Sequence, residues 1–178
     1  MKQAILDSAL QIAKRDGWEQ VTTRRITQEF GYTTSAIYHY LGGKDQLLYE
    51  LRQQGFAQLK ATLQNAVTNH SADAPAQLQA ISLAQWTFAH QHRSLYELMF
   101  GLAHVNCNGP SGAEMRQTGA VVQEVIDQLA GGAAPELFLH WWALVSGFVG
   151  ISFNSPDDWR ERVFETYQLS IERFISSL

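Results

Sequence analysis

The sequence predicts an all-α fold. Proline is absent before Pro75 and occurs only four times in 178 residues, so long helices are permitted through most of the chain. No segment shows the strict apolar–polar alternation of a half-buried strand, whereas apolar residues recur at steps of three and four. We predict about nine helices, arranged as an N-terminal three-helix module over residues 1–46 and a C-terminal helical domain over residues 47–178.

The first two helices end at glycines. Helix 1 is predicted over residues 2–16, where an apolar stripe faces inward, and Gly17 is expected to end it as a left-handed residue. Helix 2 begins after Thr22 or Thr23, whose hydroxyls suit an N-cap, and Gly31 ends it after residue 30.

The third helix completes a helix-turn-helix pattern. Thr33 or Thr34 caps it, Ile37 and Leu41 form an inward pair four residues apart, and it is predicted to extend to about Tyr40. Two short helices joined by a tight glycine turn are the sequence form of a helix-turn-helix. In that motif the second helix enters the major groove of DNA.

The outward residues of this module suit contact with DNA. Small side chains permit close approach, tyrosine and histidine reach bases or phosphates, and the arginines of helix 2 grip the backbone. Lys44 and the free amides of the next helix add a second phosphate contact. The predicted DNA-contacting residues are Arg24, Arg25, Thr33, Thr34, Ser35, Ala36, Tyr38, His39, Tyr40 and Lys44. From the residues alone, a helical hairpin whose tyrosines merely pack remains an alternative.

The middle of the chain predicts four further helices separated by polar breaks. A long helix over about residues 44–69 contains Gly55, which is expected to weaken or bend it. Pro75 suits the first turn of the next helix. Residues 106–112 have the composition of a loop and separate the third of these helices from the fourth. The predicted ranges are 44–69, 75–90, 95–102 and 113–129.

The last two helices are the most apolar. Residues 137–156 carry no formal charge, but the segment contains His140 and Ser146 and lacks flanking Lys or Arg anchors, so we interpret it as a buried helix and not a membrane span. The final helix is expected to use Ser155 as N-cap and Pro156 in its first turn.

Charge distribution and cysteine content indicate which partners and which cellular compartment are possible. The net charge is −4, yet residues 1–50 carry six basic and six acidic side chains, so the acidic excess lies in residues 51–178. An acidic remainder can face away from DNA, because a contact surface needs only local positive charge. One cysteine, Cys107, excludes an intramolecular disulfide, and the N-terminus lacks a signal-peptide pattern. We therefore expect a cytoplasmic protein.

The N-terminal module resembles the DNA-binding region of TetR/AcrR-family transcriptional regulators. The resemblance covers about residues 1–50 and includes the glycine turn, the Ile-Tyr pair and the Lys-Asp-x-Leu junction at the spacings of the family. The residues that carry it are Thr22, Arg25, Ile26, Gly31, Tyr32, Thr33, Ile37, Tyr38, His39, Tyr40, Leu41, Lys44, Asp45, Gln46 and Leu47. The C-terminal part looks less specifically like the family's ligand-binding and dimerisation region.

Three features depart from the family pattern. Leu41 stands where an aromatic residue is usual, and Thr27 stands where a small alanine is typical. The chain also begins almost directly in helix 1, without the basic arm that some relatives insert into the minor groove. Arm-mediated contact is therefore not expected.

The resemblance implies a ligand-responsive repressor, homodimeric and released from a palindromic operator by a small molecule. A helical small-molecule-binding or scaffold protein without DNA binding, and a regulator or activator without a small-molecule trigger, are the alternatives. The effector is expected to bind among Trp86, His90, Tyr96, Met99, Phe100, His104, Met115, Trp141 and Phe148. The dimer is expected to form through the last two helices at Trp142, Val149, Trp159, Val163, Tyr167, Ile171 and Phe174.

Catalysis and metal binding are not predicted. The sequence contains no nucleophile elbow, phosphate loop or His-Glu-x-x-His motif. His90 and His92 are two residues apart and so do not share a helix face, and His104 with Cys107 lacks an evident third ligand. We therefore expect no enzyme activity, no metal and no cofactor.

Overall fold

The computed structural model describes residues 1–70, 73–101 and 112–178, and all regular structure in these ranges is helical. The predicted all-α class is therefore confirmed. A short 3₁₀ turn, Trp18–Gln20, follows the first helix. The α-helices are α1 Lys2–Asp16, α2 Thr23–Phe30, α3 Thr34–Leu41, α4 Lys44–Asn69, α5 Ala74–Gln91, α6 Arg93–Met99, α7 Gly112–Ala130, α8 Pro135–Asn154 and α9 Asp157–Ser176.

Two predicted helix ends are wrong in detail for local reasons. Gly17 has the expected positive φ of 87°, but its ψ of 163° is extended, so it leads into the 3₁₀ turn and not into a left-handed cap. At the start of α9, Pro156 is the N-cap and not a first-turn residue, because its ψ of 156° is extended. Ser155 does not cap α9, since its Oγ donates to Ile151 O at 2.8 Å and so belongs to the end of α8.

The sixth helix lies earlier than predicted. It spans Arg93–Met99 and follows α5 after a single intervening residue. An i,i+4 ion pair of 2.9 Å between Arg93 Nε and Glu97 supports this early start. Gly55, expected to weaken or bend the long helix, lies inside an uninterrupted α4.

The chain forms two compact units, of which the first comprises Met1–Gln58 and His92–Met115. Its core includes Ile5 and Leu6 of α1, Ile26 of α2 and Ile37 of α3, all almost fully buried. Each of these helices therefore contributes an apolar face to one core, while its polar face remains outside.

Helix α6 belongs to this first unit and packs against α1. The indole Nε1 of Trp18 donates to the backbone oxygen of Ser94 at 2.7 Å. Where α4 passes α6, Gly55 lies so close to Met99 that a Cβ on the glycine would be 2.5 Å from the methionine sulfur. The absence of a side chain at Gly55 permits this approach of the two helices.

The second unit comprises Leu59–Gln91 and Arg116–Leu178. Within it, α8 and α9 pack along each other and α5 packs against both. Its core includes Ile81, Trp141, Val145 and Tyr167, each nearly inaccessible to solvent. The predicted domain boundary at residues 46 and 47 falls within α4 and stays a prediction, whereas the first unit continues along that helix to Gln58.

Helix α8 was expected to be buried, but much of it lies on the surface. It is long and apolar enough to cross a bilayer, with a mean hydropathy of 1.3, and only 22% of its most apolar 18-residue window is buried. Its exposed side includes Leu139 and Ile151. Composition and length alone are weak evidence for a membrane span, since core helices of soluble proteins share them.

Candidate nucleic-acid interface

Helix α2 is fixed at both ends by local chemistry. Thr22 has extended backbone angles, and its Oγ1 accepts a hydrogen bond from Arg25 N at 3.1 Å, which identifies it as the N-cap. Gly31 ends the helix in the left-handed conformation, with φ 71° and ψ 16°. Its amide donates to Thr27 O at 3.1 Å. The predicted helix and both of its ends are confirmed.

Helix α3 follows after a short turn and is capped in the same manner. The Oγ1 of Thr33 accepts from Ala36 N at 3.1 Å, and Gly42 ends the helix with φ 64°. Ile37 and Leu41 point into the core of the first unit, as the four-residue spacing predicts. Two capped helices joined by a glycine turn therefore form the predicted helix-turn-helix.

The opposite side of α3 is polar and open to solvent. Thr34, Ser35 and His39 are exposed, and the tyrosines at positions 38 and 40 are 56% and 44% exposed. Such aromatic exposure is unusual for side chains that merely pack, and hydroxyl and imidazole groups are suited to hydrogen bonding with bases and phosphates. Of the predicted recognition residues on this helix, only Ala36 is partly covered.

The junction between α3 and α4 positions one of these tyrosines. Gly43 is buried with φ 125°, a conformation that side chains rarely adopt. A Cβ at this position would lie 3.4 Å from Cε1 of Tyr38, so the tyrosine ring rests against the glycine backbone. Lys44 opens α4 directly after this contact and is half-buried. Local sequence rules do not reveal this support for Tyr38, because it depends on how close the ring lies to the glycine backbone.

The two adjacent arginines of α2 differ in their surroundings. Arg24 is exposed. Arg25, predicted to grip the DNA backbone, instead contacts two carboxylates of its own unit: its Nη2 lies 2.6 Å from Asp16 Oδ2 and its Nε lies 2.6 Å from Glu29 Oε1. The structure therefore assigns Arg25 to an intramolecular ion pair. The spacing of nine residues between Arg25 and Asp16 gave no sequence signal for it.

The residues predicted to bind an effector lie in different parts of the chain. Tyr96, Met99, Phe100 and Met115 belong to the first unit, with Met115 exposed and Met99 buried. Phe100 packs edge-on against Phe56 at a centroid distance of 5.4 Å. His104 lies outside the described residues. The effector site therefore stays a prediction for this group.

The remaining effector candidates belong to the second unit. Trp86 stacks on His90 at 4.3 Å, and the histidine ring nitrogens lie 2.8 Å from Trp86 O and 2.9 Å from Ser152 Oγ. Phe148 packs edge-on against Tyr167, and Trp141 is buried. These contacts place all four predicted side chains in helix packing. A small cavity of about 40 Å³ in this unit is lined by none of them; its residues are Gln79, Ser82, Leu83, Tyr167, Gln168 and Ile171.

The residues predicted at a dimer interface divide into exposed and buried sets. Trp159 is 52% exposed and Trp142 is half-buried, so both present some surface to solvent. The other five are buried within the second unit, where α5, α8 and α9 pack together. A dimer contact at these five buried residues stays a prediction: Val149, Val163, Tyr167, Ile171 and Phe174.

Metal coordination has no support in the part of the chain that the structure describes. Within these residues, no group of three or more His, Cys, Asp or Glu side chains is arranged to hold an ion. His104 and Cys107 fall in the segment outside the described ranges.

The described residues form an all-helical protein with a capped helix-turn-helix in its first unit. The family described as "Bacterial regulatory proteins, tetR family" matches residues 5–51. This match covers the N-terminal module and confirms, over these residues, the resemblance seen in the sequence.

One curated regulator is similar to part of this chain. The "HTH-type transcriptional regulator BetI" of Vibrio campbellii is 32% identical over 73 residues, which are 41% of this chain and 37% of that protein. The chain thus matches little more than a third of that relative's length.

The whole fold is shared with solved structures. A protein of unknown function from Rhodococcus sp. RHA1 has a TM-score of 0.82 and 23% identity, covering 99% of this chain and 94% of that one. The TetR-family transcriptional regulator PfmR of Thermus thermophilus has a TM-score of 0.75 and 18% identity, covering 95% and 97%. At these identities the likeness establishes the fold alone.

Proposed function

We propose that this chain is a sequence-specific DNA-binding transcriptional repressor that a small molecule releases from its operator. The observation that carries the proposal is the exposed polar face of α3, presented by a helix-turn-helix with both helices capped. Helix α3 has the length and the small first-turn residues needed to enter the major groove.

Recognition divides between base contacts and phosphate contacts. Thr34, Ser35 and Tyr38 lie on the exposed face of α3 and are proposed to read base edges. Arg24 and the amides at the N-terminus of α2 are proposed to bind backbone phosphates, as is Lys44 at the start of α4. Phosphate contacts fix the register of the protein on the duplex, whereas base contacts specify the sequence.

The proposed functional form is a homodimer assembled through α8 and α9. Large apolar side chains on these helices are left open to solvent: Leu139, Ile151, Trp159 and Leu169. A soluble protein covers such a surface, and a two-fold contact buries the same patch on both subunits. A symmetric dimer carries two copies of α3, which suit two half-sites of a palindrome about 34–36 Å apart.

Release by an effector requires a molecule that favours the conformation that does not bind DNA. Only a ligand with different affinities for the two conformations shifts their populations. The aromatic side chains of the middle helices are suited to a planar or lipophilic molecule. The cytoplasm is the compartment in which such a regulator meets DNA and metabolites.

Selection of bound duplexes from a random pool tests this function with the full-length chain. We expect enrichment of a palindrome whose half-sites are centred about 10 base pairs apart, with affinity that falls as salt rises. A matched variant, Ser35→Glu, adds a negative charge to the exposed face of α3 and is expected to lose the enrichment. Failure of the wild-type chain to enrich or retain any duplex would favour a helical binding protein that does not contact DNA.

A further inference from the structure

Four charged side chains on the first unit form a closed ring of ion pairs. Its members are Arg15, Asp16, Arg25 and Glu29, here called the charge ring. Asp16 Oδ2 lies 2.7 Å from Arg15 Nε and 2.6 Å from Arg25 Nη2. Glu29 accepts from Arg15 Nη2 at 2.7 and 2.9 Å and from Arg25 Nε at 2.6 Å. Each carboxylate thus bridges both guanidinium groups.

The charge ring is electrically balanced. Hydrogen bonds from Arg15 and then Arg25 hold the pKa of Glu29 below its usual range, and bonding to Glu29 and Asp16 raises the pKa of Arg15. Glu29 and Arg15 therefore stay ionised near neutral pH. Two positive and two negative charges at hydrogen-bond distance attract a distant phosphate far less than two free arginines would.

Arg25 lies where an unpaired arginine would be expected to contact a DNA phosphate. Its backbone amide is the one capped by Thr22, so it lies in the first turn of α2 beside the exposed Arg24. Helix N-termini are natural phosphate sites, and a flexible arginine in the first turn would ordinarily add to such a contact. Asp16 and Glu29 engage the guanidinium group of Arg25 from α1 and from one turn further along α2.

We propose that Asp16 and Glu29 are specificity-determining residues, which hold Arg15 and Arg25 away from DNA phosphates and so limit sequence-independent binding. Specificity is the ratio of affinity for the operator to affinity for any other duplex, and phosphate contacts raise both affinities. Withholding two cations lowers the affinity for unrelated DNA without removing a base contact. This inference rests on the proposed DNA binding.

If the charge ring served only to stabilise the fold, neutralising one carboxylate would lower the melting temperature and leave the salt dependence of DNA binding unchanged. Its side chains are 28–56% exposed, and exposed ion pairs contribute little to stability. Neutralising one carboxylate should therefore leave the melting temperature nearly unchanged. The salt dependence of DNA binding, in contrast, counts phosphate contacts and does not respond to small losses of stability.

The test measures binding of the full-length chain to its selected operator and to an unrelated duplex between 0.05 and 0.3 M salt (roughly the range over which counterion release dominates). For Glu29→Gln, the plot of log affinity against log salt on unrelated DNA should become steeper by about 0.9 per released arginine in each bound subunit. Near 0.15 M salt, that slope corresponds to about fivefold tighter binding per new contact. The operator-to-unrelated ratio should fall.

Two controls separate the released arginine from the change in net charge. Glu19→Gln removes the same charge from an exposed position outside the charge ring and should leave the slope unchanged. In the double variant that carries Glu29→Gln and Arg25→Gln, the salt slope should be less steep than in Glu29→Gln alone. The difference is the part that the Arg25 contact contributes. Steepening of equal size in Glu19→Gln and Glu29→Gln would overturn the proposal, because net charge alone would explain it.

The wild-type chain distinguishes the remaining outcomes. If Arg25→Gln alone makes the wild-type slope shallower by about 0.9 per subunit, Arg25 already contacts phosphate and the proposal fails while DNA binding stands. If the wild type binds with the expected salt dependence and Glu29→Gln does not differ from it, the proposal again fails alone. If the wild type binds no duplex, the proposed function fails and this inference fails with it.

Discussion

The indole Nε1 of Trp141 donates a hydrogen bond of 2.9 Å to Oγ of Ser82, a residue that is 1% exposed. The same hydroxyl donates to Leu78 O at 2.7 Å, and the backbone oxygen of Ser82 accepts from Tyr167 OH at 2.7 Å. One small residue of α5 therefore contacts a polar group from both α8 and α9. These bonds satisfy groups that would otherwise be costly to bury in the second unit.

Ser82→Ala should destabilise the protein by about 1–3 kcal/mol, because the buried indole N–H of Trp141 loses its acceptor. Urea unfolding measures the loss as a lower midpoint. Ser170→Ala is the matched control, since its hydroxyl bonds only one turn back along α9, to Thr166 O at 2.7 Å, and is less buried. Equal midpoints for the two variants would show that the bond from Trp141 contributes nothing.

Sequence reasoning predicted the helix-turn-helix well because local rules determine it. The caps at Thr22 and Thr33 and the stop at Gly31 each depend on residues within four positions. The inward direction of Ile37 likewise follows from helical periodicity alone. Once the buried positions of α3 are assigned, its other positions form the exposed face.

Features that depend on packing between helices could not be predicted in this way. Ser82 and Trp141 are 59 positions apart, so the sequence carries no local signal of their hydrogen bond. The pairing of Arg25 with Asp16 requires the end of α1 to lie beside the start of α2. The apolar composition of the last helix is evident from the sequence, but whether Tyr167 faces its own subunit or a partner depends on where α5 lies.

Lys44→Ala should weaken binding to every duplex and make the salt slope shallower by about 1 per subunit, as expected for the loss of one phosphate contact. Lys44 is the first residue of α4, adjacent to the α3 junction. Lys60→Ala removes the same charge sixteen residues further along that helix and should leave the slope unchanged. An unaltered slope in Lys44→Ala would exclude this lysine from the interface.

Ile151→Glu and Trp159→Glu should each convert the proposed dimer to monomers, because they place a charge on the exposed apolar surface of α8 and α9. Sedimentation velocity measures the change. Leu83→Glu is the control, since this leucine is exposed to a similar extent but lies on α5. If Leu83→Glu alone dissociates the dimer, the interface lies at α5 and not at α8 and α9. Phe174→Glu is unsuitable because Phe174 is buried in the protomer.

The pKa of Glu29 should lie below that of an ordinary glutamate and should rise when Arg15 and Arg25 are both changed to Gln. Because folding lowers this pKa, the stabilisation from Glu29 is present above the unfolded pKa and is lost as pH falls through the folded value. Carbon-detected NMR titration of the carboxyl group measures it. Lys2→Gln should instead raise the pKa of Glu50, which Lys2 lowers, and leave Glu29 unchanged. A Glu29 value insensitive to both arginines would contradict the charge ring.

Gly55→Ala should destabilise the first unit, even though alanine favours a helix over glycine by about 1 kcal/mol. The new Cβ would lie 2.5 Å from Met99 Sδ and 3.1 Å from Leu95 Cγ, and Met99 is buried, so α6 or its side chains must shift. Overpacking of this kind costs about 1–3 kcal/mol. In a Met99→Ala background the main obstruction is gone, so the same substitution should become neutral or stabilising there. Thermal unfolding of the four proteins gives the coupling between the sites. An equal effect of Gly55→Ala in both backgrounds would show that contact with Met99 does not set the requirement for glycine.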